Sequence, residues 1–568
     1  MIRVTRIFFL LVVMAMVTGC AGISTSSADQ TPVPGGASGL PPTTIATESP
    51  TPTEVPSPTA VPEVKVWIAD YIPAALKTDL TKLPAGYSLV TSRDEADVVF
   101  SVIKDKTAKP ISQWTFVLAA PFPTIKDELK SDELKTVFAG NQEEHFNPQK
   151  LLMSPETKAI LETLWGRAGS SVVTTVPEAE MLDAAWSENT TWAIVPFEQL
   201  HPRWKVIRVG GISPMERGLA NKPYALTVNF GFTAKEEGID IVPLQALETT
   251  LGNRDESKLT TVMLTGVTAL ARTTAMTMDT KGVEYPYRDI GDWMRYPDIT
   301  HVSNEVSFDE QCPPPRPVRV DMLFCSQVEY IKLFTDLDID VIELTGNHLV
   351  DYGVDALDYT LATYDEKKIP YYGGGKNLED AKKTVHFEHN GNKVAFIGCN
   401  VPGPVYDFAE ENRAGAAPCG DFDWVLESIA KAKNDGYMPI VTLQHYETDL
   451  FMPISIVQRD MEMLADAGAV IVSGSQAHFP HGFTFRGDSF VHYGLGNLFF
   501  DQMFSYNQYE FLDQHYFYDA RYLGVEIKTA RLEEWARPRP MTEDERKMIL
   551  EEVFKVSNWT YGGKVENP

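Results

Sequence analysis

The sequence predicts an α/β chain with two consecutive α/β domains behind a leader and a tether. Three observations point there. At 568 residues the chain has room for two or three domains of roughly 100 to 200 residues each. Its 43% hydrophobic and 23% charged residues are the balance of a folded body rather than of a disordered polymer. Short apolar runs alternate with helical ones from 64 to 255, and the alternation restarts from 256 to 530, which is the rhythm of sheets covered by helices.

The first segment, 1–20, sets the expected compartment. Arg3 and Arg6 precede the apolar run "IFFLLVVMAMV", and "VTGCAG" follows directly. A charged start, a short apolar stretch and a small-residue cleavage site make a secretory leader, and the stretch is too short to span a bilayer comfortably. The pattern resembles a bacterial lipoprotein signal, which implies lipidation of Cys20 and a protein held on the extracytoplasmic face of the cell membrane. Residues 21–63, rich in Ser, Thr, Pro and Gly, have too little apolar surface to offset their ordering entropy and read as an extended tether.

In the first domain, 64–255, "KVWIADYI", "ADVVFSVI", "QWTFVLAAPFP", "TWAIVPFEQL" and "WKVIRVGG" read as strands. "TIKDELKSDELKTVFAG" reads as an amphipathic helix ending at Gly140. The stretch "SENTTWAIVPFEQLHPRWKVIRVGGISP" resembles the second lobe of periplasmic substrate-binding proteins, which implies a ligand cleft between two lobes. A packed spacer without a ligand is the alternative.

Charge and cysteines narrow the partners. A formal net charge of −28 weighs against a nonspecific nucleic-acid binder, which needs a Lys/Arg face. Four cysteines follow the leader: Cys312, Cys325, Cys399 and Cys419. In an oxidising compartment an even count suggests disulfides. Of three connectivities the local one, Cys312 to Cys325 and Cys399 to Cys419, closes the shortest loops.

The second domain, 256–530, carries the chemistry. "KLTTVMLTGVTAL", "ITHVSNEVSF", "DIDVIELTGNH", "KVAFIGCN", "MPIVTLQHYETD", "AVIVSGSQAH" and "SFVHYGLGN" each run apolar residues into a polar cluster. Between them lie the helical stretches "VDALDYTLATYDEKK", "FDWVLESIAKAKNDG" and "IVQRDMEMLADAG". The tail, 531–568, reads as a turn and a C-terminal helix. Polar residues just past strand ends gather along one sheet edge, where ligands bind. Here those ends bear Asn304 and Glu305, Asn347 and His348, His445 and Glu447, Gln476 and His478, then His481. Mixed imidazole, carboxylate and carboxamide groups suit Mn, Fe or Zn, and two such ions can clamp an attacking water and an oxyanion. Singly each has a plainer reading: His348 as a turn histidine, Asp351 as a cap of the helix starting near Val354, and Asn347 as a left-handed turn residue.

Together these motifs resemble the CapA family of capsule and poly-γ-glutamate synthesis, whose fold is that of the calcineurin-like metallophosphoesterases. "TGNHLVDYG" is similar to its Asn-Asn-His-x-x-Asp-Tyr-Gly signature and "YYGGGKNLEDA" to its Gly-rich strand and turn. "VTLQHYETD" is similar to its His-Trp-Gly-x-Glu element, "VIVSGSQAHFPHGF" to its Gly-x-His-Pro-His loop and "VHYGLGNLFFDQ" to its Ser-Leu-Gly-Asn-Phe end. The resemblance implies an α/β sandwich with Asn347, His348, His445 and His478 facing a divalent metal. It implies Glu305, His348 and Glu447 as catalytic groups, and Arg272 and Asn304 as substrate-binding. Two departures stand out: the family's strand-ending Gly-Asp supplies a bridging Asp where this chain has Val267, and Gln476-Ala477 replace the loop's first His and its Pro. Two functions follow as expectations. One is metal-assisted hydrolysis or transfer at an amide or ester of a capsular polymer. The other is a noncatalytic protein with a degenerate site that binds the polymer or an anionic small molecule. Asp279 is a candidate replacement for the lost Asp if its loop folds back.

Overall fold

One long strand, Ser112–Pro121, organises the first α/β domain of this computed structural model. Its first half pairs antiparallel with Thr227–Ala234, and its second half with Thr191–Pro196. The strands Val64–Ile68, Tyr87–Leu89 and Val98–Val102 lie on the first side, and Lys150–Met153 and Val173–Thr175 on the second. Two lobes thus share a crossing strand, a binding-protein-like arrangement. The described residues are 63–104, 110–141, 148–187, 190–247, 252–317, 322–557, 559–561 and 564–566. Cys20, the leader and the tether up to 62 lie outside them.

The second domain is a four-layer sandwich. Its first sheet runs in the order Tyr371–Tyr372, Val341–Glu343, Ile299–Asn304, Leu259–Thr265, Tyr509–Tyr518, Arg521–Glu533 and Arg537–Pro540. The first four are parallel neighbours and the rest antiparallel. The second sheet runs Val385–His389, Asn392–Asn400, Met438–Gln444, Ile471–Ser473, Ser489–His492 and Phe483–Arg486. Val262, Leu264, Phe396, Ile440, Phe490 and Phe511 pack between the sheets. Leu357, Leu361 and Tyr364 of the helix Val354–Lys367 cover the outside of the first. Val425, Ile429, Met461 and Leu464, from the helices Asp423–Asn434 and Ser455–Asp466, cover the second. Strands buried on both faces are what such layering requires, and here they also bury polar residues such as Thr261, His301, Asp513 and His515.

Residues 62–568 cluster as one compact unit. Phe122, just past the crossing strand, meets Phe483, Phe485, Phe490 and Phe554 of the sandwich edge to face, and Trp559 at a tilt. Arg546 of the C-terminal helix Glu543–Val556 grips Asp127 through Nε at 2.7 Å and Nη2 at 3.0 Å.

Three details differ from or sharpen the sequence reading. The helix expected over 124–140 is confined to Ser131–Phe138, because Glu128–Leu129 pairs as a strand with Arg208–Val209. The strand Arg521–Glu533 runs through position 530 and pairs with Arg537–Pro540, tying the tail to the sheet. The disulfides are the local pair, Cys312–Cys325 and Cys399–Cys419. Among the described residues no helix is long and apolar enough to cross a membrane.

Candidate functional site

The site gathers where the parallel strands of both sheets end. Gly346 lets it close: a Cβ there would stand 2.8 Å from the Glu305 Cα, so only glycine admits the "TGNH" turn against the neighbouring strand end. Gly266 does the same between Leu259–Thr265 and Gly496, whose carbonyl oxygen would be 1.9 Å from a Cβ.

His478 is the centre of the set. Its Nδ1–H donates to Asn497 Oδ1 at 2.8 Å, which fixes the ring. Its Nε2 lies 3.5 Å from Glu305 Oε1 and 3.8 Å from Glu447 Oε2. Burial disfavours the charged ring, but Glu305 and then Glu447 outweigh it and push its pKa up to about 9. Burial also raises a carboxylate, yet His478, followed by His348 and Arg272, holds Glu305 below its ordinary range. An imidazolium between two carboxylates therefore occupies the mouth at neutral pH.

His348 donates from Nδ1 to Asp351 Oδ2 at 2.6 Å. Against its burial, that hydrogen bond raises the His348 pKa. Asp351 is consequently no helix cap. Its Oδ2 takes His348 and the Phe324 N–H at 2.8 Å, while Gly353 stands at the N-cap without a side-chain bond. His348, Phe324, Arg272, Phe500 and His478 form a continuous wall. The ring centroids of Phe324 and His348 are 4.6 Å apart, the Arg272 guanidinium carbon lies 5.1 Å from Phe324 and 4.6 Å from Phe500, and Phe500 is 5.3 Å from His478. The Cys312–Cys325 bridge anchors Phe324 in this wall.

Other expected residues are committed elsewhere. Arg272 holds Asp501 through Nε at 2.8 Å and also through Nη2, so its fork is engaged by protein rather than open to substrate. Asn304 Nδ2 donates to the Val306 carbonyl at 2.7 Å and to the Tyr364 hydroxyl at 3.0 Å, a strand-end brace. His445 is turned away. Its Nδ1 accepts from the Tyr446 N–H at 2.8 Å and its Nε2 bonds Asp460 Oδ2 at 3.1 Å, leaving neither nitrogen for an ion. His481 is a neutral core histidine: burial lowers its pKa to about 4, and Nδ1–H donates to the Leu450 carbonyl at 2.6 Å. Asp279 accepts from the Tyr330 hydroxyl at 2.6 Å and does not fold back. Gln476 donates to Ser303 Oγ at 2.7 Å and is fully buried.

The sequence reading passed over Asp407, Asn497, Asp501 and Asp460. Asp501 and Asn497 sit inside the quoted "VHYGLGNLFFDQ". Asp407 has no such signal. It is wholly buried, its Oδ1 accepts from the Val350 N–H at 2.9 Å, and burial aided by Asp351 raises its pKa to about 7. Several acceptor oxygens here lack a hydrogen-bond partner: Asn304 Oδ1, Glu305 Oε2, Asn347 Oδ1, Asp407 Oδ2 and Gln476 Oε1.

A Mn, Fe or Zn centre does not fit these side chains. Among the described residues no group of three or more His, Cys, Asp and Glu side chains is arranged to hold a metal ion, and the three that meet at His478 Nε2 are spaced as an ion-pair cluster. At the place of the expected bridging carboxylate, Val267 is fully buried with Ala269, Ala271, Val306, Phe324 and Phe500. A valine methyl cannot ligate, and an apolar cluster disfavours the ion's charge.

A separate cavity, of about 670 Å³, opens between the two lobes of the first domain. Tyr71, Trp114 and Phe116 supply apolar walls, and Glu156, Glu178 and Glu198 face it against Lys77. Burial, with Glu156 nearby, raises the Glu178 pKa.

A two-lobed α/β domain joined to a helix–sheet–sheet–helix sandwich, with polar groups at the strand ends, is the build of a binding-protein-like module followed by a metallophosphoesterase-like one. Residues 261–502 match the family described as "Bacterial capsule synthesis protein PGA_cap". The "PGA biosynthesis protein CapA" of Bacillus subtilis (strain 168) is 28% identical over 246 residues, covering 42% of this chain and 63% of that protein, a little under two thirds of its length. The "Capsule biosynthesis protein CapA" of Bacillus anthracis is 24% identical over 296 residues, covering 51% of this chain and 71% of that one. A solved 5'-nucleotidase precursor of Thermus thermophilus overlaps at 13% identity with a TM-score of 0.31, over 51% of this chain and 58% of that one.

Proposed function

We propose that this chain is an envelope lipoprotein that binds and positions an anionic capsular polymer of the poly-γ-glutamate kind. In this reading Cys20 carries the lipid, the tether gives reach, and the body works on the extracytoplasmic face. The family match over 261–502 and the names of the two Bacillus relatives support the polymer. One observation carries the choice of binding over metal-assisted chemistry: Val267 seals the expected metal bridge into an apolar cluster, while His478 is locked in an ion pair with Glu305. A histidine protonated up to about pH 9 is a poor general base at neutrality.

Hydrolysis or transfer at an amide or ester retains one supporting observation. Glu447 is 39% exposed at the mouth and reaches His478, so a partly open carboxylate stands beside an acid. The test is incubation of the full chain with poly-γ-glutamate of defined length, with and without added Mn, Fe or Zn. Binding without chain shortening supports the proposal. Metal-dependent shortening that His478→Ala abolishes overturns it in favour of the enzyme. Cys20→Ser is expected to move the protein from the membrane to the soluble fraction.

A further inference from the structure

The groove between the segment after the crossing strand and the C-terminal helix has about 560 Å³ of volume. It is lined by Lys126 on one side and by Lys547, Glu551, Phe554 and Lys555 of the helix on the other, with Trp192 between. In a chain of net charge −28, three lysines facing one carboxylate are a local reversal of sign. Glu551 is itself only loosely paired, 3.8 Å from Lys547 Nζ, and both side chains are more than half exposed. Trp192 is 1% exposed, yet its indole Nε1–H, the only polar atom of that side chain, has no hydrogen-bond partner. A buried donor without an acceptor costs free energy, and this one belongs to a side chain that lines the groove.

We infer that this groove is a binding site for an extended polycarboxylate chain. Apart from Glu551 and the Thr124 hydroxyl, which can donate or accept, the polar side-chain groups that line it are donors or cations, which calls for acceptor oxygens carrying negative charge. Lys547 and Lys555 are eight residues apart on one helix, about 12 Å at 1.5 Å per residue. That spread fits successive carboxylates along a polymer better than one compact anion, and the apolar edge of Phe554 suits its methylenes. The groove joins the two-lobed domain to the sandwich, so a polymer seated in it would touch both. The inference rests on the polymer-binding reading but uses residues remote from His478.

The test is fluorescence polarisation of labelled poly-γ-glutamate with the full chain at low salt. Three variants are compared with the parent: Lys126→Gln/Lys547→Gln/Lys555→Gln, Trp192→Phe, and His478→Ala. The lysine variant is expected to lose roughly tenfold in affinity and to flatten the salt dependence, as three exposed charge contacts would. Trp192→Phe is expected to lose about threefold in affinity while still unfolding in one cooperative transition. Should Trp192→Phe fail to fold, the lysine variant, altered only at exposed positions, decides alone. Parent-like binding by the lysine variant overturns the groove and leaves the polymer reading intact. No polymer binding by the parent chain overturns both. Lysine-dependent binding of phosphatidylglycerol vesicles, with no binding of the polymer, would assign the groove to a membrane instead.

Discussion

Replacing Glu305 by Gln isolates the electrostatics of the strand-end site. The carboxylate is 1% exposed, and its Oε1 stands 3.5 Å from His478 Nε2. The distance between about 9 and the ordinary value of 6.5 for His478 corresponds to roughly 3 kcal/mol favouring the charged ring. Burial works against that charge, and Glu305 is the strongest of the groups overcoming it, ahead of the half-open Glu447. Glu305→Gln keeps the shape and removes the charge, so burial prevails and the His478 midpoint is expected to fall below about 7. The sign for stability follows. A histidine raised on folding stabilises fully below its unfolded value near 6.5, and that stabilisation is lost as pH rises through about 9. Parent protein should therefore lose stability between about pH 6.5 and 9 from this pair, and Glu305→Gln should lack that loss. Histidine Cε1 shifts followed by NMR from pH 5 to 10 measure the midpoint. A His478 midpoint near 6.5 in the parent, or one unmoved in Glu305→Gln, would rule out the ion pair as the cause.

Three further outcomes are expected. Asp407→Asn should stabilise the protein above about pH 7 by at least ~1 kcal/mol, read as a higher melting temperature at pH 8 than at pH 5 relative to the parent. The reason is that a buried acid raised to about 7 costs stability once ionised, while Asn still accepts from Val350. Phe122→Ala should cost about 3 to 5 kcal/mol by urea unfolding, since it empties a fully buried ring site between the two domains. Cys399→Ser with Cys419→Ser should cost about 3 kcal/mol, the loop-closure entropy of a loop spanning 20 residues.

Much of the fold was legible because apolar runs and their polar endings report strands directly. The helices Val354–Lys367, Asp423–Asn434 and Ser455–Asp466 fall where 3.6-residue periodicity put them. The short strand Glu128–Leu129 was hidden inside a helical pattern, because its partner Arg208–Val209 is distant in the chain and tertiary pairing overrode local preference. The site was legible as a set of strand ends but not as a set of directions. Sequence placed His445 and His478 at equivalent ends. Only the structure shows that Asp460, one helix later, turns His445 outward, while Asn497 holds His478 inward. Asp407 was invisible because it ends a single 3-10 turn, Val405–Asp407, and the groups that act on it, the Val350 N–H and the Asp351 carboxylate, come from a distant segment. Val267 was the departure that mattered most: a methyl in place of a carboxylate was readable from one letter, whereas its burial among Ala269, Ala271, Val306, Phe324 and Phe500 was not.

The strand-end site holds an internal ion pair between His478 and Glu305 where the family's motifs imply a metal. Elemental analysis of the purified full chain, loaded with Mn, Fe or Zn and then passed through a desalting column, puts that pairing to the test. With the ion pair in place, no stoichiometric ion is expected with any of the three metals, in the parent or in His478→Ala. Two ions per chain in the parent, lost in His478→Ala, would be incompatible with it.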